Sequence, residues 1–323
     1  MKNDKIIQWG CEYLLSHGYT LKSKQPEEVQ STPWSYMVRF ATSAGYVYLK
    51  NTPVLLALES AITQILHDQF HSPVPVIVAS NPELNCFLMQ DAGHPLRAIL
   101  KQHFDATLLC KAIDQYTSMQ LAVADKVDIF LNIGVPDWRL NKLSVLYMQL
   151  LSQKDVLMAD GLTAAEINEL EALLPMISSL CEKLSDYAIK QTIVQCDFHD
   201  NNILIGEKTK NITLIDLGEI VISHPFFSLV TCLRQAKVHH ALTEQDDAYK
   251  QLMDACFRNY MQFETKNNLL EAFAIARTLW FVYESLAQNR LRLACDRTEF
   301  MSFQRRGKLS DQLKEFMALS EVS

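Results

Sequence analysis

The stretch Cys196-Asp197-Phe198-His199-Asp200-Asn201-Asn202-Ile203-Leu204-Ile205, followed by Ile212-Thr213-Leu214-Ile215-Asp216-Leu217-Gly218-Glu219, constrains the fold more than any other part of the chain. Two short apolar runs, Ile203 to Ile205 and Ile212 to Ile215, flank a polar turn at Gly206 to Lys210. They read as a β-hairpin with one carboxylate just before it and another at its end. Such a hairpin gathers Asp197, Asn202 and Asp216 in one place. These are the oxygen-bearing groups that hold a Mg²⁺-nucleotide and orient an attacking hydroxyl, so the pattern points to phosphoryl transfer.

The 323 residues, 49% of them hydrophobic, suffice for a large core without disulfide support, either as one large domain or as two lobes. A formal net charge of −7, with no basic run longer than Arg305-Arg306, argues against nucleic acid and anionic membrane as partners. The first ten residues lack an apolar signal region and no apolar run reaches about 18 residues, so a soluble cytoplasmic protein is expected. Eight scattered cysteines without a CxxC pair predict reduced, buried thiols.

The organisation changes near residue 90. Before it the pattern predicts a helix over 4–15, then strands at 36–40 and 45–50 joined by a turn at 42–45. Thr52-Pro53 reads as a helix start, with Leu55, Leu58, Ile62, Ile65 and Leu66 at helical spacing behind it. Glu59 falls on the same stripe. A carboxylate there requires a cation, and Lys50, at the end of the preceding strand, is nearest in sequence order. The apolar strand 86–89 runs into Gln90-Asp91-Ala92-Gly93, which reads as a hinge. Beyond it helices are predicted near 96–102, 106–128, 139–153, 163–188, 226–241, 244–262, 267–293 and 298–319, with a capping box at Thr163/Glu166 and a kink at Pro175. The expected architecture is α+β in two lobes: residues 1–90, small and β-rich with one main helix, and residues 91–323, larger and mostly helical.

The order of a strand-borne lysine, a helix-borne glutamate, a hinge, an Asp-x-x-x-x-Asn loop and a later Asp resembles the protein-kinase-like fold, in the version of the aminoglycoside phosphotransferase and choline kinase superfamily. Its signature is written His-Gly-Asp-x-His-x-x-Asn. Asp197, His199 and Asn202 match it, while Gln195 and Cys196 replace the leading pair. Ile215-Asp216-Leu217-Gly218 resembles the metal-binding strand end, and His224 to Leu229 resembles a Pro-x-x-Asp-Leu segment with Ser228 in place of the aspartate, which weakens one anchor of the loop.

The resemblance implies that Asp197 orients the acceptor hydroxyl and takes its proton, with His199 supporting the loop. It implies Mg²⁺ on Asn202 and Asp216, Lys50 on the α- and β-phosphates with Glu59 fixing it, and adenine against the backbone of Met89, Gln90 and Asp91. No glycine stands between Ser31 and Gly45, so a GxGxxG phosphate loop is absent and the hydroxyls of Ser35 or Thr32 would serve in its place. The implied activity is an ATP-dependent phosphotransferase, with GTP as the other candidate nucleotide. Its acceptor would be a hydroxyl of a small molecule such as an amino sugar or amino alcohol.

Local alternatives stand beside each assignment. Asp197 and Asn202 alone fit an Asx turn, Lys50 and Glu59 fit solvated positions, and Cys196 with His199 fits half of a zinc site without a second ligand pair. Trp280, Phe281 and Tyr283 fit either a cage for a choline-like cation or a core. At the level of function, the alternatives are a catalytically silent scaffold, motivated by Gln195, Cys196 and Ser228, and a protein kinase. The latter is opposed by the missing Ala-Pro-Glu segment and activation loop.

Overall fold

The computed structural model describes residues 2–23, 25–207, 209–303 and 306–320. The chain forms two compact units, each assembled from separated segments: Met1–His94 with Leu204–Gly218 and Leu291–Phe303, and Pro95–Ile203 with Glu219–Arg290 and Gln304–Ser323.

The first unit is built on helix α1 (Lys2–Ser16), strands β1 (Glu27–Thr32), β2 (Ser35–Thr42) and β3 (Gly45–Asn51), helix α2 (Glu59–Phe70), and strands β4 (Ile77–Asn81) and β5 (Cys86–Gln90). The strands make an antiparallel sheet in the order β1-β2-β3-β5-β4. The turn between β2 and β3 forms because Thr42 Oγ1 donates to the Gly45 carbonyl at 2.7 Å and Gly45 adopts φ 112°, a value open to glycine. Period-two alternation on β3 places Val47 and Leu49 in a core with Val38, Phe40, Cys86 and Leu88, against which Ile6 and Leu14 of α1 pack. The helix approaches closely because residue 10 is glycine: a Cβ there would lie 2.7 Å from Leu49 Cδ1. Lys50 therefore faces away from that core.

Three local expectations are corrected here. Thr52-Pro53 starts only the 3-10 turn Val54–Leu56, with no side-chain cap, and α2 begins at Glu59. Thr52 still belongs to the line of the sheet, its N–H donating to the Asn85 carbonyl. Leu55 consequently drops out of the buried stripe and is 52% exposed, while Ile62 and Leu66 are buried. Strands β1 and β4 join the sheet unforeseen, because neither shows a clean alternation of buried and exposed positions.

The hairpin Ile203–Ile205 and Ile212–Leu214 forms as predicted, although residue 208 of its turn lies outside the described residues. From 204 onward it belongs to the first unit, where the Leu214 N–H donates to the Pro73 carbonyl at 2.7 Å.

The second unit is helical apart from the strand pair Thr192–Val194 and Val221–Ser223. The predicted helix 163–188 is two helices, Ala164–Ala172 and Leu174–Ser185; Pro175 stands in the first turn of the second, where its missing N–H costs nothing, rather than at a kink. The capping box forms, with the Glu166 N–H donating to Thr163 Oγ1 and the Thr163 N–H to Glu166 Oε2. The helix predicted over 106–128 ends at Val123, and that predicted over 298–319 becomes Arg297–Ser302 and Lys308–Ser320, with residues 304 and 305 outside the described ones. Lys154–Asp160 is an additional helix. Among the described residues no helix is long and apolar enough to cross a membrane.

Gly93 is the tightest glycine of the first unit. Its φ is 115°, and a Cβ would lie 2.1 Å from the Ile205 carbonyl oxygen. Both terms oppose any side chain, and neither neighbouring backbone can yield cheaply. Gly93→Ala is expected to lower stability by at least about 1–3 kcal/mol, measured as the shift in denaturant midpoint. An unchanged midpoint would refute the close approach.

Candidate active site

The first unit concentrates three charges in one buried place. Lys50, at the end of β3, is 6% exposed and Glu59, opening α2, is 4% exposed. The Lys50 ammonium donates to Glu59 Oε1 at 2.8 Å and to Asp216 Oδ1 at 2.7 Å, bridging positions 166 residues apart. Burial by itself would discharge the lysine, but the carboxylates of Asp216 and Glu59 override it and hold Lys50 above the ordinary lysine range. The Leu217 N–H also favours the charged form of Glu59. The carboxylate thus lies beside the segment Asp216-Leu217-Gly218 as well as the lysine. Gly218 lets that segment seat itself, since a Cβ there would come within 3.1 Å of the Leu56 carbonyl and 3.3 Å of Glu59 Oε2. Asp216 takes φ 64°, which aspartate tolerates better than most residues, and its side chain remains 41% exposed. One carboxylate is thus committed to the lysine while the other keeps open surface for a ligand.

The second unit carries the loop from Gln195 to Asn202. Asn202 Nδ2 donates to the Asp197 carbonyl at 2.8 Å and to Asp197 Oδ2 at 3.2 Å. His199 Nδ1 accepts the Asn201 N–H, which leaves the proton on Nε2 to donate to Asp197 Oδ1 at 3.0 Å. Two donors therefore hold the Asp197 carboxylate in one orientation, and its side chain is 50% exposed. An acidic group that is oriented but open has the requirements of a base for an incoming hydroxyl.

The loop is anchored by Ser228 and by residues that carry no local sequence signal. The buried Ser228 donates to the Gln195 carbonyl at 3.0 Å, while the Gln195 N–H donates to Tyr116, whose hydroxyl lies 2.7 Å from Ser228 Oγ. The absent aspartate is thereby replaced by a pair of hydroxyls that satisfy both backbone groups of Gln195. Tyr116 also stacks on Phe198 at 3.8 Å. Cys196 is buried, donates to the Glu219 carbonyl and accepts from Tyr283, a structural role far from that of a zinc ligand. Asp200 is held by Arg97 at 2.7–2.8 Å and by His240 at 2.7 Å. Burial would raise the Asp200 pKa, but these two partners hold it below the usual carboxylate range. His240 is thus part of the loop's support. A buried side chain 40 or 100 residues away gives no local sequence signal, which is why Arg97, Tyr116 and His240 were not foreseen.

The other predicted contacts are placed as follows. Met89 and Gln90 end β5, and Asp91 follows it. The N–H groups of Gln90 and Asp91 donate to the Val76 and Tyr46 carbonyls. The Ser35 N–H donates to Thr32 Oγ1 across the β1–β2 turn, and Ser35 Oγ is buried with no hydrogen-bond partner among the described residues. Trp280, Phe281 and Tyr283 are buried, with Tyr283 stacked on Phe227 at 4.7 Å.

The site residues thus fall into two local groups: Lys50, Glu59 and Asp216 meet within the first unit, and Asp197, His199 and Asn202 within the second. Each group presents an oxygen donor of the kind hard divalent cations take: in the first unit the partly open Asp216 carboxylate, and in the second Asn202 Oδ1, since that residue spends its amide N–H₂ on Asp197.

A sequence model of the phosphotransferase enzyme family (APH) matches residues 28–260, more than two thirds of the chain, and the protein belongs to that family. No curated protein sequence matches it. Among solved structures it is similar to the Plasmodium vivax ethanolamine kinase Pv091845, with TM-score 0.61 and 12% identity over 89% of this chain and 82% of that one. It is also similar to the amicoumacin kinase hAmiN bound to AMP-PNP, Ca²⁺ and Ami, with TM-score 0.58 and 14% identity over 98% and 96% of the two chains. A third is the choline kinase LicA from Streptococcus pneumoniae, with TM-score 0.59 and 12% identity over 95% and 98%. At these identities the likeness shows the fold, which is protein-kinase-like and α+β as the sequence predicted.

Two predictions follow from the anchors. Ser228→Ala leaves the Gln195 carbonyl without its buried donor and is expected to cost about 1–3 kcal/mol of stability, read from denaturant unfolding. A loss below about 0.3 kcal/mol would deny Ser228 that role.

His224, at the head of the same segment, is fully buried, and burial pushes its pKa down to about 3. The unfolded chain binds this proton below pH 6.5 and the native state does not, so its contribution to stability is complete above that pH. It is lost as pH falls from 6.5 toward 3, at up to about 1.4 kcal/mol per pH unit. His224→Phe is expected to flatten the stability profile in that window. A profile with wild-type slope would overturn the assignment.

Proposed function

We propose that this protein transfers the γ-phosphoryl group of a nucleoside triphosphate to a hydroxyl of a small molecule. The observation that carries the reading is the buried Lys50 ammonium shared between Glu59 and Asp216, a costly arrangement that a merely structural lobe has no need of. Family membership and the ethanolamine, choline and amicoumacin kinases among its structural neighbours support a small-molecule acceptor. The AMP-PNP complex among them supports ATP as the nucleotide, with GTP the alternative.

In this reading the acceptor oxygen attacks the γ-phosphorus, its proton passes to Asp197, and the bond from that phosphorus to the β–γ bridging oxygen breaks to release the nucleoside diphosphate. His199 and Asn202 keep the Asp197 carboxylate aimed at the hydroxyl. Lys50 contacts the α- and β-phosphates, released from Asp216 when the nucleotide supplies its own negative charge, while Glu59 retains it. Ser35 is the candidate phosphate contact of the β1–β2 turn, and the backbone of Met89, Gln90 and Asp91 faces adenine. The N–H groups of Gln90 and Asp91 are already bonded to the Val76 and Tyr46 carbonyls. Asn202 and Asp216 would hold Mg²⁺, which when bound neutralises phosphate charge. The lobes proposed for these tasks are residues 1–90 for nucleotide and 91–323 for catalysis and acceptor.

The anchoring of Gln195 by Ser228 and Tyr116 favours a formed catalytic loop over a silent scaffold. Calorimetry with ATP and GTP, with and without Mg²⁺, is expected to show Mg²⁺-dependent binding that Asp216→Ala weakens at least tenfold. Asp197→Asn is expected to retain nucleotide binding and lose at least about 100-fold in turnover, the scale of a missing general base. A folded wild type that binds neither nucleotide would overturn the proposal.

A further inference from the structure

A cavity of about 370 Å³ in the second unit is lined by Asp197, the proposed base, together with Trp280, Arg234, Glu284, Lys308 and Gln312. An acceptor must reach Asp197, so the chemistry of this cavity bears on which molecules qualify. Arg234 stands out in it. Its guanidinium carbon lies over two aromatic rings, 4.4 Å from the Trp280 centroid and 5.0 Å from that of Phe281. It has no carboxylate or carbonyl acceptor among the described residues, whereas Arg39, Arg97 and Arg139 each sit on one. Lys308, on the same cavity, likewise has no ion-pair partner among the described residues.

The two rings hold the guanidinium in place, and its N–H groups have no hydrogen-bond acceptor among the described residues. An arginine so held can take a planar or tetrahedral oxyanion through paired hydrogen bonds. Partial burial lowers the Arg234 pKa, although the nearby Glu315 and Glu284 carboxylates act to raise it. The same stacking works against a quaternary ammonium. Trp280 is 5% exposed, its indole N–H is committed to Thr231 Oγ1 at 2.9 Å, and the face an onium ion would need is already covered by the chain's own cation.

We infer that the acceptor is an anionic hydroxy compound, whose carboxylate or phosphate pairs with Arg234 while its hydroxyl is presented to Asp197. The inference rests on the phosphotransferase reading for the role of Asp197, but the anion site itself stands on Arg234 and its cavity. Glu284, whose Oε1 accepts from Gln288 Nε2 at 2.7 Å, adds a negative wall that a zwitterionic acceptor tolerates better than a dianionic one.

The test pairs each anion with a neutral counterpart on the full-length chain: glycerate with glycerol, and ribose 5-phosphate with ribose, with choline as the cationic probe. Binding is followed by ligand-observed NMR and by tryptophan fluorescence. An anionic probe is expected to bind at least tenfold more tightly than its neutral counterpart and than choline. That preference should vanish in Arg234→Gln and return in part in Arg234→Lys. Preference confined to glycerate identifies a carboxylate and preference confined to ribose 5-phosphate a phosphate. Choline or the neutral probes binding as well as the anions overturns the inference, as does a folded Arg234→Gln that keeps the preference. Should Arg234→Gln not fold, the wild-type preference and the Arg234→Lys response decide. Mg²⁺-nucleotide binding is measured on the same preparations: its presence without anion preference defeats this inference alone, and anion preference without nucleotide binding defeats the phosphotransferase reading alone.

Discussion

The sharing of the Lys50 ammonium between Glu59 and Asp216 is the interaction on which the first unit depends. An ammonium with 6% exposure is sustained only by close opposite charge, and two carboxylates within 2.8 Å supply it. The arrangement ties together β3, the first turn of α2 and the end of the hairpin. Removing Glu59 would leave the buried lysine with Asp216 as its remaining carboxylate partner in this group. Asp216 differs from Glu59 in exposure, 41% of its side chain against 5%. The buried carboxylate has the fixed role and the open one the exchangeable role.

The loop in the second unit reaches comparable order by another route. Its backbone is held at Gln195 by hydroxyls, at Cys196 by a thiol bonded both ways, and at Asp200 by a guanidinium and an imidazole. Neutral hydrogen bonds serve where the loop is fully buried, and charged ones where Asp200 must remain ionised. The replacement of an aspartate by Ser228 is tolerable for this reason: a smaller hydroxyl fills the position, and Tyr116 satisfies the second backbone group. The Asp197 carboxylate is approached by His199 and Asn202.

What was legible in the sequence follows from how local each signal is. Lys50 and Glu59 were found because an acid on an apolar helical stripe is anomalous, and Asp197, Asn202 and Asp216 because the hairpin between them is short and strongly apolar. The start of α2 was misplaced because Thr52-Pro53 satisfies a local cap rule while the Thr52 N–H is drawn to Asn85 in the sheet. Strand β1 was missed because Glu27 to Gln30 present polar residues on both faces, with pairing supplied by β2 and an ion pair from Arg39 to Glu27. Pro175 was assigned to a kink because periodicity runs through it; the backbone resolves the conflict by ending one helix and starting another. Tyr116, Arg97 and His240 were invisible for a different reason. Their roles arise only from tertiary contact, and an ordinary buried tyrosine or histidine carries the same local pattern.

The long helix Lys266–Ala294 shows how one element serves core and site together. Tyr283 points into the core, stacks on Phe227 and donates to Cys196, so the backbone of the loop and the helix are packed as one body within the unit. One turn earlier, Trp280 gives its N–H to Thr231 and its face to Arg234. Thr231 in turn lies against the Cys196 carbonyl. The aromatic run 280–283, ambiguous in sequence between a cation cage and a core, is therefore core in Tyr283 and a platform in Trp280. A platform already carrying a guanidinium reverses the charge of the ligand it selects. The aromatic content of the cavity thus says less about the acceptor than the single cation laid upon it.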